Sequence, residues 1–481
     1  MTKPIDAEGS VGLLLSLLLI AGCGSLPADS RREPPRNHEA PRTQEARESL
    51  YAFTGVTVVP MTGERLLPHR TVLVRGQVIE AIGPTAEVQV PEDAVVIEGR
   101  GRYLMPGLVD MHTHISDRDD LVLLLANGVT SVRNMAEYPG WARLLGYPDI
   151  LALKKRIEKG ELQGPTIYTA GLVLDGRKPV SPLFSVMKDA GEAERAVRDQ
   201  QARGYDFVKV YDKLPPEVYE RIVAVARELQ ITVIGHVPKA VGIDASLSSG
   251  QHSIEHLTGY IDNDKSRFVI PEERIEEYAA RTAAAGVWNC PTLTIYDNLV
   301  PPSRFEEILA HPEARYVPGR IRFLWKQTLR AVYETAGTGG DVAGGDVAGA
   351  DVAGTDYAAR MGELSRRMTR ALHEAGAKLV AGTDMNFVGV FPGLSLHREL
   401  EDLVAAGLSP YEALACATVN AAVCLGRAGE FGTVDAGGRA DLILLETDPL
   451  EDVGAIRSCA GVMVRGRWYS RDALERMREE L

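Results

Sequence analysis

Apolar and polar residues alternate at period two through much of residues 51–100, as in TVLVRGQVIEAIG (71–83), with turn residues between short runs. That period predicts antiparallel strands rather than helices. The same texture returns near the other end in FGTVDAGGRADLILLETDPL (431–450) and GVMVRGRWYS (461–470), where VMVRGR echoes the earlier VLVRGQ. Two β segments more than 300 residues apart are therefore expected to build one small β-sandwich, from 51–104 and from 426–481, the latter ending in a helix.

Between them the pattern changes. Short β-rich runs alternate with amphipathic stretches of ten to twenty residues such as PPEVYERIVAVARELQ (215–230), the mark of parallel βα units. The candidate strands are GLVDMHTH, GVTSVRNM, TIYTAGLVL, DFVKVYD, ITVIGH, HSIEH, VWNCPTL and KLVAGTD. Eight strands over 105–425 are what a (β/α)8 TIM barrel requires, and an α/β fold of this kind is preferred over a doubly wound sheet. The five-residue repeat in GDVAGGDVAGADVAGTD fits neither helical nor strand periodicity. It is expected to be a flexible low-complexity insertion, 337–356, since its aspartates lack the nonapeptide spacing of calcium-binding repeats.

The chain is long enough, at 481 residues, for one large domain and a smaller one. A net charge of −13 without a basic, aromatic-interleaved patch argues against nucleic acid as a partner. At the start, VGLLLSLLLIAGC (11–23) is apolar but too short to span a bilayer. IAGC resembles the lipobox of bacterial lipoproteins. That resemblance implies a signal peptide over 1–23, lipidation of Cys23, export, and a periplasmic or outer-membrane lipoprotein held to the membrane by its lipid anchor alone. Residues 24–50, rich in Pro, Arg and Glu, read as a flexible tether. Cys290, Cys416, Cys424 and Cys459 show no C-x-x-C spacing and are expected to be buried thiols, with a disulfide left open.

Barrel active sites collect at the carboxyl ends of the strands, and the polar residues at those ends form an ordered set. Strand one ends in His112 and His114, which share a face in extended backbone. Strand four carries Lys209, strand five ends at His236, strand six at His256 and strand eight at Asp384. His252 faces the same way as His256 by strand alternation and ranks behind it. The motifs PGLVDMHTH, VKVYD, IGHVP, SIEHL, AGTD and FGTVDAGGRADL resemble those of the amidohydrolase superfamily, in its imidazolonepropionase-like and Xaa-Pro dipeptidase-like branch of metal-dependent hydrolases. The resemblance covers nearly all of 51–481. It implies that His112, His114 and Asp384 hold one metal, that His236 and His256 hold a second, and that Lys209 bridges the two.

Imidazole and carboxylate ligands without thiolate suit Zn(II), with Mn, Co or Fe as substitutes. An ammonium cannot ligate, so Lys209 would need to be carboxylated by CO2. Two divalent ions would generate a bridging hydroxide near neutral pH. Asp384 would then serve as general base and acid in hydrolysis of the C–N bond of a small molecule or short peptide, a dipeptidase- or prolidase-like activity. Tyr211, Tyr260 and Asn386, just beyond ligand positions, are candidates for substrate binding, Tyr211 also for catalysis. A phosphoester or lactone hydrolase using the same centre and an inactive surface-anchored binding protein remain as alternatives, and a homo-oligomer is left open.

Overall fold

The computed structural model describes residues 49–261, 270–337 and 355–481. The expected signal peptide, Cys23, nearly all of the tether and most of the repeat insertion lie outside the described residues. In chain order the strands are β1 (Leu50–Val58), β2 (Leu67–Arg75), β3 (Val78–Pro84), β4 (Val95–Glu98) and β5 (Tyr103–Pro106), then β6 (Leu108–Thr113), β7 (Val129–Asn134) and β8 (Thr166–Thr169). They continue as β9 (Leu174–Asp175), β10 (Ser185–Val186), β11 (Phe207–Val210), β12 (Thr232–Gly235), β13 (Ser253–Glu255), β14 (Trp288–Cys290) and β15 (Lys378–Leu379). β16 (Leu442–Leu445), β17 (Cys459–Val464) and β18 (Arg467–Ser470) close the set.

The two terminal β segments meet in one sheet of order β18-β17-β16-β5-β1-β2-β3, with β4 beside β1. The seam is antiparallel, Leu442 opposite Pro106 and Leu445 opposite Tyr103. Phe53, Val56, Val58, Val72, Val74, Leu442, Leu444 and Met463 supply the apolar face expected of period-two strands. The echoed VRG turns pack on each other: a Cβ at Gly466, where φ is +74°, would lie 1.6 Å from the Gly76 carbonyl oxygen. Only glycine fits there.

The middle of the chain is an α/β arrangement with two parallel sheets, β6-β7-β8 and β10-β9-β11-β12-β13-β14-β15. All eight stretches expected to be strands contain one. The sheets are bridged on both sides, by parallel pairing of Ala170 with Phe207 and by a bond from Met111 N to Ala381 O of 2.9 Å. Helices cover the outside. Pro216–Glu228 starts with proline at its first turn, where the missing N–H costs nothing, and buries Val218, Tyr219, Ile222, Val223, Val225 and Ala226 against β11 and β12. Each buried valine or isoleucine contributes about 1.5–3 kcal/mol. Cys416 and Cys424, expected on one helix, end two short ones, Pro410–Cys416 and Val419–Cys424, broken at Thr418. Cys290, Cys416, Cys424 and Cys459 are free thiols, and burial pushes those of Cys416 and Cys424 up to about 12. No helix among the described residues is long and apolar enough to cross a membrane.

Candidate active site

Parallel strands carry residues distant in sequence to one end of a sheet, and here they deliver His112, His114, Lys209, His236, His256 and Asp384 to one place. The ring centroids of His112 and His256 lie 4.4 Å apart and those of His236 and His256 5.0 Å apart. Asp384 Oδ1 is 3.4 Å from His112 Nε2 and 3.2 Å from His114 Nε2. Lys209 Nζ sits 3.3 Å from His112 Nε2. Local geometry serves this packing: His256 and Asp384 both have φ of 57°, a strained backbone for non-glycine residues that is commonest at functional sites. Gly382 is required by close approach, since a Cβ there would stand 2.5 Å from Cys290 Sγ and 2.7 Å from His112 N.

The electrostatics suit cation binding. Burial holds His112 well below the usual histidine range and His256 at about 3, so both rings are neutral donors at pH 7. Burial pushes the Asp384 carboxyl up, but His256, His114 and Lys209 outweigh it and keep it ionised far below the ordinary carboxylate range. Burial also brings Lys209 down to about 8, against the pull of Asp384 and Glu255. His236 Nδ1 is 2.7 Å from Asp212 Oδ1, while its Nε2 is buried with no hydrogen-bond partner. An orphaned, correctly oriented imidazole nitrogen beside neutral histidines and a carboxylate fits a divalent metal. Ligand atoms of His112, His256 and Asp384 come within 4.8 Å of one another.

Sequence reasoning missed the supports beneath these groups. His112 Nδ1 is 2.9 Å from Glu255 Oε2, and Glu255 is clamped by Arg133 Nη2 at 2.9 Å to each carboxylate oxygen. All three side chains are buried. His256 Nδ1 is 2.7 Å from Thr292 Oγ1. Asp110 accepts from the backbone N–H groups of His112 and Thr383, both at 3.1 Å, tying β6 to the turn that carries Asp384. A charge inside an apolar run, as in SVRNM and SIEH, was the available signal.

The substrate candidates divide. Tyr211 stacks on His236 with centroids 3.9 Å apart. Asn386 donates from Nδ2 to the His114 carbonyl at 2.6 Å. Tyr260 is a correction: it is fully buried, and its hydroxyl is occupied by Thr282 Oγ1 at 2.9 Å and Asn289 Oδ1 at 3.1 Å. It packs the core because the chain turns inward after His256. His252 also faces away, its Nε2 2.8 Å from the Cys424 carbonyl.

Residues 344–469 match the model of the Amidohydrolase family. The chain is 27% identical to an imidazolonepropionase of Rubrobacter xylanophilus over 398 residues, covering 78% of this chain and 84% of that one. These matches support the amidohydrolase superfamily for this chain. The chain is also 23% identical to the ochratoxinase of Aspergillus niger over 85% of its own length and 84% of the relative's. Its fold is similar to that of the solved bottromycin amidohydrolase, with 26% identity, 90% of each chain covered and a TM-score of 0.68. It is an enzyme, a hydrolase.

Proposed function

We propose that this amidohydrolase cleaves an amide-type C–N bond in a small substrate, such as a short peptide or N-acyl amino acid, using two divalent metal ions held by His112, His114, Lys209, His236, His256 and Asp384. Hydrolysis of a C–N bond agrees with relatives named imidazolonepropionase and amidohydrolase. The observation that carries the two-ion centre is the convergence of two neutral histidines, an ionised aspartate and the orphaned His236 Nε2 at the carboxyl ends of parallel strands. The bridged parallel sheets support a closed eight-stranded barrel beneath it, with the sheet from both chain ends as a second domain.

The ions, for which imidazole and carboxylate donors suit Zn(II), would polarise the scissile carbonyl and lower the pKa of water. The protein's own groups do the rest. Asp384, ionised and beside His114, takes the proton of the attacking water and returns it to the leaving amine. Lys209, brought down to about 8, has a neutral amine in reach near neutral pH, the form that would react with CO2 to give a carbamate able to hold metal. Glu255 fixes His112 and Asp212 fixes His236, each through Nδ1. Tyr211, stacked on His236, lines the approach. The lipobox-like IAGC supports export and lipid anchoring through Cys23, as a periplasmic or outer-membrane lipoprotein.

The test is metal analysis of the purified chain combined with a panel of Xaa-Pro dipeptides, N-acyl amino acids, lactones and phosphotriesters. Two ions per chain and amide turnover that disappears on chelation and returns with Zn(II) are expected. Turnover of lactones or phosphotriesters without amides would reassign the reaction, and full activity in metal-free enzyme would overturn the centre.

A further inference from the structure

Immediately past Asp384 the chain doubles back, Phe387 N donating to Asp384 O at 2.8 Å, and becomes one wall of a cavity of about 180 Å3. Tyr147, Leu183, Leu324, Trp325, Phe387 and Val388 give this cavity an apolar lining, and no charged side chain borders it. Leu324 and Thr328, one turn apart on the helix Gly319–Gly337, face it together. Two sets of contacts tie the cavity walls to the catalytic groups. Asn386, on its wall, holds the His114 carbonyl at 2.6 Å and receives Trp325 Nε1 on its own carbonyl at 2.8 Å. Phe184, adjacent to Leu183, sets its edge on Tyr211 at 4.7 Å, and Tyr211 covers His236.

Those walls specify what fits. Asn386 Nδ2 and Trp325 Nε1 are already engaged and no charged side chain lines the cavity, so a charged group entering would lose its water without a counter-charge to replace it. A ring would not: an apolar cavity of about 150 Å3 is enough to take up benzene. We propose that the cavity is a specificity pocket for an aromatic ring carried on the amine portion of the amide substrate. This rests on the amide-hydrolase function above, in which Asp384 protonates the leaving amine, and Asn386 on the cavity wall lies two residues past Asp384. An aromatic amino acid or arylalkylamine in amide linkage is then the preferred substrate class.

The experiment uses the metal-loaded full chain and compares N-acetyl-phenylalanine with N-acetyl-alanine, and N-phenylacetyl-alanine as the reversed arrangement. In parallel, binding of free phenylalanine and alanine is measured by calorimetry. Each measurement is repeated on Thr328→Trp, which fills the cavity from a half-buried helix position. The expected result is kcat/KM at least about ten-fold higher with the ring on the amine side, a preference that Thr328→Trp removes together with phenylalanine binding. Phenylalanine binding that Thr328→Trp abolishes, in a chain that cleaves no amide, would keep the pocket and overturn the hydrolase function. Amide turnover with no ring preference, with preference for the acyl-side ring, or with a preference untouched by Thr328→Trp would overturn the pocket. Neither binding nor turnover would overturn both.

Discussion

His112 Nδ1 and Glu255 Oε2 meet at 2.9 Å with both side chains fully excluded from solvent. The carboxylate accepts a hydrogen bond from Nδ1–H, which leaves Nε2 as the lone-pair nitrogen on the face shared with Asp384 and Lys209. Arg133 balances the buried charge from the other side. Glu255→Gln keeps the shape but leaves Arg133 uncompensated in the core. We expect metal affinity to fall about 10–100-fold and stability to drop by about 3–5 kcal/mol, read by metal titration of the apoenzyme and by thermal unfolding. A variant indistinguishable from wild type in both would remove Glu255 from the site.

Lys209 is fully buried beside three histidines with its pKa brought down to about 8. Lys209→Ala is expected to lose bound metal and nearly all turnover, with partial return when a short carboxylic acid supplies the missing carboxylate. Lys209→Arg should not recover under any such addition, since guanidinium keeps its charge and forms no carbamate. Metal content and activity at increasing acetate concentration decide the matter; two ions bound by Lys209→Ala without added acid would contradict it.

His397 lies in the core, donating from Nε2 to the Asn127 carbonyl at 2.9 Å with Nδ1 unpartnered. Burial lowers its pKa to about 4 from an ordinary 6.5. Its contribution to stability is complete above pH 6.5 and is lost as the pH falls toward 4, because the unfolded chain binds a proton that the folded one refuses. The loss at the acid end is on the order of 3 kcal/mol. His397→Gln, which retains a donor for Asn127, should flatten the stability profile between pH 6.5 and 4 in chemical denaturation; an unchanged slope would assign the acid sensitivity elsewhere.

Cys23 follows an apolar segment of signal-peptide length in IAGC. Expressed in a bacterial host, the wild-type chain should fractionate with membranes and Cys23→Ser should appear in the soluble fraction. A wild-type chain wholly in the soluble fraction would end the lipoprotein assignment.

Sequence alone determined much of this protein, wherever the information is local. Period-two runs marked the strands of both terminal segments, and each of the eight βα stretches from GLVDMHTH to KLVAGTD contains a strand, because alternation and amphipathicity are read over a few residues. The ligand candidates were legible because parallel strands end at one face, so residue order along the chain maps onto one rim. What only tertiary structure decided lies across strands or in backbone geometry. Arg133 and Glu255 stand 122 positions apart, and nothing near either residue says that one neutralises the other. The left-handed conformation of His256 and Asp384 breaks the alternation by which His252 and His256 were expected to share a face. Burial is a property of the assembled core, and a polar side chain is tolerated there only once its partner arrives from another strand. For that physical reason the identity of the inward-facing charges was written in the sequence, and their pairing was not.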